Sequence, residues 1–190
     1  MLPNAPNTYH VTHISNLQRI ADLGLISYTH IQEQRIEYKD ISNKSVKQRR
    51  SKIEPIYKRK LHDYVPTYFN PKNPFQYAQE VKEWDQLAIL EVSKEIFSSH
   101  EFIFTDGNAA SGNTRFFNDI SLLTELPWET LNSRYWADKI DGRRQMCAEC
   151  LFYPKIERNF IVKLHFRSIR FDSEFSKFGF EIVHSPKLFF

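Results

Sequence analysis

The sequence predicts an α+β domain, and three observations carry that prediction. Strand-like segments outnumber helical ones and do not alternate with them as βαβ units, which argues against a doubly wound sheet. The composition, 41% hydrophobic and 26% charged, is that of a folded globular chain. At 190 residues, one domain spanning residues 1–190 can bury roughly 70% of the surface its unfolded form exposes, with no need of disulfide staples. Sixteen Phe, nine Tyr and three Trp make the chain aromatic-rich, and only five Gly interrupt it.

From the N-terminus, Thr8 to His13 alternates as a strand, with Tyr9 and Val11 on one face and His10 and Thr12 on the other. Ser15 is expected to cap a helix through Leu17, Ile20, Ala21 and Leu23 that ends at Gly24. Residues 27–62 are polar and charged without an apolar face. They read as a long, mobile basic loop with one helix around Lys44–Lys52. Tyr64 to Ala78 is dense in aromatics and carries Pro66, Pro71 and Pro74, which predicts a short edge strand followed by turns. Leu87–Val92 and Phe102–Thr105 read as strands, the second ending in the turn Asp106-Gly107-Asn108. Phe116, Ile120 and Leu123 fall at helical spacing after Thr114. A second helix is expected from Pro127 to about Tyr135. The last third reads as strands over Cys147–Tyr153 and Phe160–Phe166, with a final one near Phe180–Val183.

The formal net charge is +3, but it is unevenly spread. Lys39 to Lys60 holds nine Lys or Arg against Asp40 and Glu54, so the rest of the chain is neutral to acidic. A basic segment on such a body suits a phosphate-bearing partner, and equally a solvated surface loop. No stretch approaches the ~18 apolar residues of a membrane span, and MLPNAPNTYH has neither the basic start nor the apolar run of a signal peptide. A cytoplasmic protein without membrane partners is expected.

The sequence holds no G-x-G-x-x-G, P-loop, G-x-S-x-G or H-E-x-x-H. Cys147 and Cys150 form a C-x-x-C, yet no second ligand pair stands at zinc-site spacing, and the pair opens an apolar strand rather than a helix. Two buried thiols and no metal are expected. Glu149 between them is the sharper residue, because acids are depleted from strand interiors and seldom buried unpaired. It is either a structural carboxylate at a solvated edge or paired with Arg144, or a catalytic one.

His10-Val11-Thr12-His13-Ile14-Ser15-Asn16-Leu17 resembles the opening of the DarT toxins, bacterial enzymes that ADP-ribosylate DNA. Further stretches follow in the family's order. Lys47-Gln48-Arg49-Arg50 resembles its basic loop, and Asp63-Tyr64-Val65-Pro66-Thr67-Tyr68-Phe69 its D-Y-V-P-x-Y-F segment. Phe104-Thr105-Asp106-Gly107 and Arg115-Phe116-Phe117 are similar to its central elements. Tyr135-Trp136-Ala137-Asp138 precedes Arg144 to Leu151, which is similar to its R-x-x-A-E-x-L element. The likeness spans about Tyr9 to Tyr153. Asn108, Phe75 and Lys72-Asn73 depart from the residues common in the family, and residues 167–190 are unmatched.

The resemblance implies an ADP-ribosyltransferase fold, with two packed, mostly antiparallel sheets clasping NAD and helices outside. It implies transfer of ADP-ribose from NAD to thymine or guanine in single-stranded DNA, with release of nicotinamide. Glu149 and Arg50 would be catalytic, with Arg49 an alternative to its neighbour. His10, Thr12, Asn16, Arg49 and Tyr68 would bind NAD. Lys47, Tyr64, Phe75, Asn108, Arg115 and Arg144 would meet DNA, with core packing a competing role for the aromatics. A separate macrodomain-type or other ADP-ribose-removing antitoxin is the implied partner. The alternatives are an ADP-ribosyltransferase acting on protein or RNA, and a non-catalytic binder of single-stranded nucleic acid.

Overall fold

The computed structural model describes residues 5–83 and 85–190; residues 1–4, part of the N-terminal stretch read above, lie outside it. In chain order come β1 (Thr8–His13), α1 (Leu17–Leu23), β2 (Leu25–Ile26), α2 (Tyr28–Glu33) and α3 (Lys44–Arg49). Then follow β3 (Val65–Tyr68), α4 (Pro74–Glu83), β4 (Leu87–Val92), β5 (Glu101–Thr105), β6 (Phe116–Phe117), α5 (Trp128–Leu131) and α6 (Gly142–Gln145). The chain closes with β7 (Glu149–Tyr153), β8 (Lys155–Ile156), β9 (Ile161–Phe166), α7 (Asp172–Phe175) and β10 (Glu181–His184).

The architecture is α+β, but the two packed sheets expected are one eight-stranded mixed sheet, ordered β10-β9-β4-β1-β3-β7-β5-β6, beside a two-stranded β2-β8 ribbon. Among the described strands only β9 and β10 pair in parallel; the other pairings are antiparallel. β1 and β4 pair along their whole length, from Thr8 opposite Val92 to His13 opposite Leu87. β1 and β3, in contrast, share the single register pair Tyr9–Tyr68. The sheet therefore opens in its middle.

That opening explains a misplaced element. The prolines predicted an edge strand, yet β3 lies inside the sheet between β1 and β7. A strand residue's N–H and C=O point to the same side. The Pro66 carbonyl faces the gap, where it meets His10 Nδ1 at 2.8 Å. The missing N–H of Pro66 therefore faces the gap too and leaves no ladder acceptor unpaired.

The stretch read as turns after β3 instead contains α4. Asn73 Oδ1 accepts from the Phe75 and Gln76 amides at 2.9 and 3.0 Å, an N-cap followed by proline in the first helical position. Thr114 to Leu123 is not a helix: β6 pairs with β5, and a 3-10 turn covers Ile120–Glu125. The helix expected from Pro127 to Tyr135 stops at Leu131. Ser15 does not cap α1; a 3-10 turn over Ile14–Asn16 leads into the helix, and the Ser15 amide donates to His13 Nδ1 at 3.1 Å. Gly24 ends α1 as expected, at φ 77°, where a Cβ would also overlap the Ile156 carbonyl oxygen.

The main core packs α1, the 3-10 turns and α7 against one face of the sheet, through Leu17, Ile20, Leu90, Phe104, Phe152, Leu164 and Phe166. On the opposite face Val11, Ile89 and Phe189 form a smaller cluster that takes in Tyr68 and Phe75. The tail after β10 is thus part of the fold, and Gln76 of α4 donates to the Leu188 carbonyl at 2.8 Å.

Candidate active site at the split of the sheet

A cleft of about 840 Å³ passes through the opening between β1 and β3, within the range of small-molecule and cofactor sites. Pleat alternation puts Tyr68 and Glu149, which are register partners, on one face. His10 and Thr12 belong to the other face, yet all four line the same cleft because the strands diverge beyond Tyr9. The lining holds eight Lys or Arg against Asp40, Asp141 and Glu149. The electrostatic field there favours an anionic ligand.

Glu149 opens β7 at the centre of this cleft, its side chain 1% exposed. One carboxylate oxygen accepts from the Ala109 amide at 2.9 Å, and the other pairs with Arg50 Nη1 at 2.7 Å. Arg50 caps the C-terminal end of α3. Its Nη2 is buried and without a partner. A guanidinium nitrogen held in that state is a donor reserved for something absent from the chain itself. Neighbouring Arg49 is exposed at the mouth of the cleft, so the ambiguity between the two arginines resolves geometrically in favour of Arg50 as the partner of Glu149. The alternative pairing of Glu149 with Arg144 is not formed.

Arg144 instead bridges Asp106 at 2.7 Å and Asp141 at 2.6 Å, and Arg115 joins Asp106 from the other side at 3.0 Å. Burial works against the Asp106 charge, but the two guanidiniums hold its carboxyl below the usual range. This cluster fastens the loop after β5 to the turn before β7. Gly107 is required within it, because a Cβ there would collide with the Arg144 side chain. The Ala109 amide that meets Glu149 is presented by this loop. Asn108, which lines the cleft, accepts from the Ala110 amide at 2.9 Å.

Tyr68 stacks on Phe75 of α4, with ring centroids 5.8 Å apart. Burial, and then the Glu149 charge, push the Tyr68 phenol well above its ordinary value, so the hydroxyl stays protonated. His10 is pushed down by burial against the opposing effect of the Pro66 carbonyl, which keeps the ring neutral. Thr12 and Asn16 are joined at 3.1 Å.

Besides Arg115 and Arg144, three further expected ligand contacts are engaged within the protein. Tyr64 is 1% exposed, packs edge-on against Tyr153 and donates to Glu54 at 3.2 Å, which makes it a core residue rather than a stacking platform. The amide of Asn16 is committed to Thr12 and to the Lys39 backbone. Lys47 pairs with Asp40 at 2.7 Å. Cys147 lines the cleft and Cys150 lies in the core. Burial, with Glu149 adding to it, pushes the Cys147 thiol up to about 12. Among the described residues no group of three or more His, Cys, Asp or Glu could hold a metal ion, and no helix is long and apolar enough to cross a membrane.

Sequence reasoning missed the Ala109 amide, a backbone group with no side-chain signature, and His62, which lines the cleft beside Tyr28. Arg143, also lining the cleft and exposed, could have been found from its place next to Arg144.

The family model of the ssDNA thymidine ADP-ribosyltransferase DarT matches residues 9–174. The DNA ADP-ribosyl transferase of Thermus sp. (strain 2.9) is 33% identical over 172 residues, covering 80% of this chain and 76% of its own. The DNA ADP-ribosyl transferase of Thermus aquaticus is 35% identical over 158 residues, covering 77% and 69%. Among solved structures, Thermus sp. 2.9 DarT in complex with ADP-ribosylated ssDNA superposes with a TM-score of 0.87 at 26% identity, covering 97% of this chain and 96% of that one. Thermosipho africanus DarTG in complex with ADP-ribose superposes with a TM-score of 0.88 at 25% identity, but this chain spans only about half of it, 51%. With the fold, the cleft through the split sheet and the buried arginine–glutamate pair in view, this chain belongs to the DarT family of DNA ADP-ribosyltransferases.

Proposed function

We propose that this chain transfers ADP-ribose from NAD to a thymine base of single-stranded DNA and releases nicotinamide. The single observation that carries the reading is Glu149, held by Arg50 and the Ala109 amide inside a basic cleft, with Arg50 Nη2 left for a ligand. Cleavage of the nicotinamide–ribose bond builds positive charge on the sugar. A fixed carboxylate beside it favours that state over the ground state. As the ribose carbon bonds to the base nitrogen, Glu149 takes the nitrogen's proton and nicotinamide departs with the bonding pair.

Arg50 Nη2 suits a pyrophosphate oxygen or the oxygen of a base losing its proton. His10 and Thr12 line the β1 side of the cleft, where the nicotinamide end would sit. Phe75 on Tyr68 offers an aromatic wall for that ring or for an unstacked base. Arg49 and Arg143, exposed at the mouth, suit phosphates, and a base without a pairing partner reaches the site most readily. The reaction written this way needs no metal. An ADP-ribose-removing partner is also proposed. Its support is the Thermosipho africanus relative, a DNA ADP-ribosyl transferase fused to a DNA ADP-ribosyl glycohydrolase.

The test is nicotinamide release from NAD with and without single-stranded oligonucleotides, together with mass spectrometry of the DNA. Release that depends on DNA, with an ADP-ribose adduct on thymidine, is expected. Oligonucleotide binding without turnover would favour a binding module, and adducts on protein or RNA alone would overturn the choice of acceptor.

A further inference from the structure

The helix that delivers Arg50 buries none of its residues in the core. α3 has six residues, and a helix so short is unstable without tertiary support. Its support can be traced residue by residue to the cleft floor. Asn16 Nδ2 donates to the Lys39 carbonyl at 3.0 Å, and the Lys39 amide donates to Asn16 Oδ1 at 2.8 Å. This two-way clamp fixes the backbone beside Asp40. The Asp40 carboxylate takes the Lys47 ammonium at 2.7 Å, and the same ammonium stands 4.2 Å from the centroid of the Tyr28 ring. Tyr28 packs on His62, centroids 4.6 Å apart. One turn further along α3, the Lys47 carbonyl accepts from the Arg50 amide at 3.1 Å.

We propose that Lys47 is a positioning residue: the Asp40–Lys47–Tyr28 latch, anchored through Lys39 to Asn16, holds the end of α3 at the place where Arg50 meets Glu149. The proposal rests on the assignment of Arg50 and Glu149 to the reaction centre. Lys47 is then a strut for Arg50 and not a phosphate contact, and Asp40 is its necessary partner.

The two roles separate in the pair Lys47→Met and Asp40→Asn, measured as kcat and KM on a single-stranded oligonucleotide with NAD. Both residues are partly exposed, so the fold survives their replacement, which circular dichroism checks. The latch requires that both variants lose kcat by about tenfold, that the DNA salt slope stays unchanged, and that Lys47→Arg recovers turnover. A phosphate contact would instead leave kcat at saturating DNA intact, flatten the slope in Lys47→Met and tighten DNA binding in Asp40→Asn; that result overturns the latch. Arg50→Ala is run alongside. If it keeps full turnover, the reaction-centre assignment fails. If it is inactive while Asp40→Asn turns over normally, the latch alone fails.

Discussion

Arg50 and Glu149, 99 residues apart in the chain, meet at 2.7 Å in the opening of the central sheet. Each is held from behind, Glu149 by the Ala109 amide and Arg50 by the end of α3. Both can therefore be oriented before a ligand arrives. Such preorganisation is where the largest effects on rate are found.

Glu149→Gln removes the charge while keeping the shape. It is expected to lower kcat by about 10²-fold or more, in line with the loss of a preorganised electrostatic group. Melting temperature should also fall, since the largely buried Arg50 guanidinium loses its charged partner. Adduct formation followed by mass spectrometry checks this, and near-normal turnover in a folded Glu149→Gln protein would sink the assignment.

Arg50→Lys is expected to fail almost as badly as Arg50→Ala. A lysine ammonium is a point charge that cannot face Glu149 and a ligand at once as a planar guanidinium does. Turnover at saturating DNA should fall by about 10²-fold in both, with oligonucleotide affinity largely kept. An Arg50→Lys variant with wild-type kcat would show that Nη2 has no ligand.

Stability should fall on mild acidification. Burial pushes the pKa of His10, and likewise those of His62 and His165, below the ordinary value of 6.5. As pH falls through 6.5 the unfolded chain takes up protons first, so stability is complete above that value and is lost on the way down to the folded values. Thermal unfolding at about pH 5.5 and about pH 7.5 should show the lower melting temperature in acid. His10→Gln should remove part of the difference, and an unchanged difference would exclude His10 as a contributor.

Cys147→Ser combined with Cys150→Ala should retain activity, because neither thiol enters the proposed transfer. With Cys147 pushed up to about 12, iodoacetamide should leave the native protein unlabelled at neutral pH while labelling both thiols after denaturation. Rapid native labelling or loss of activity with a chelator would contradict this.

The strands were legible because their signal is local. LAILEV of β4 and the alternation of Phe160, Val162, Leu164 and Phe166 that leads into β9 are visible without partners. The short motifs likewise led to Glu149 and Arg50, which the fold brings together. Three things were hidden. Pro66 argues against an interior strand until the gap that its carbonyl faces is known. Asn73-Pro74 reads as a turn in sequence, although the same two residues are a helix cap and a first helical position. The commitments of Tyr64, Asn16 and Lys47 to Glu54, Lys39 and Asp40 depend on tertiary neighbours that spacing does not encode.

The parting of β1 from β3 has one more consequence. Two strands that part after a single register pair leave facing edges inside the sheet, each lining the cleft instead of a neighbouring strand. There, a proline removes one donor from β3, and the His10 ring takes up the acceptor left beside it. Beyond the Tyr9–Tyr68 pair, the Pro66 carbonyl is met across the seam by a side chain and not by a backbone rung. The two walls of the cleft are therefore strands of one sheet, each anchored on its far side by a full-length neighbour, β4 behind β1 and β7 behind β3.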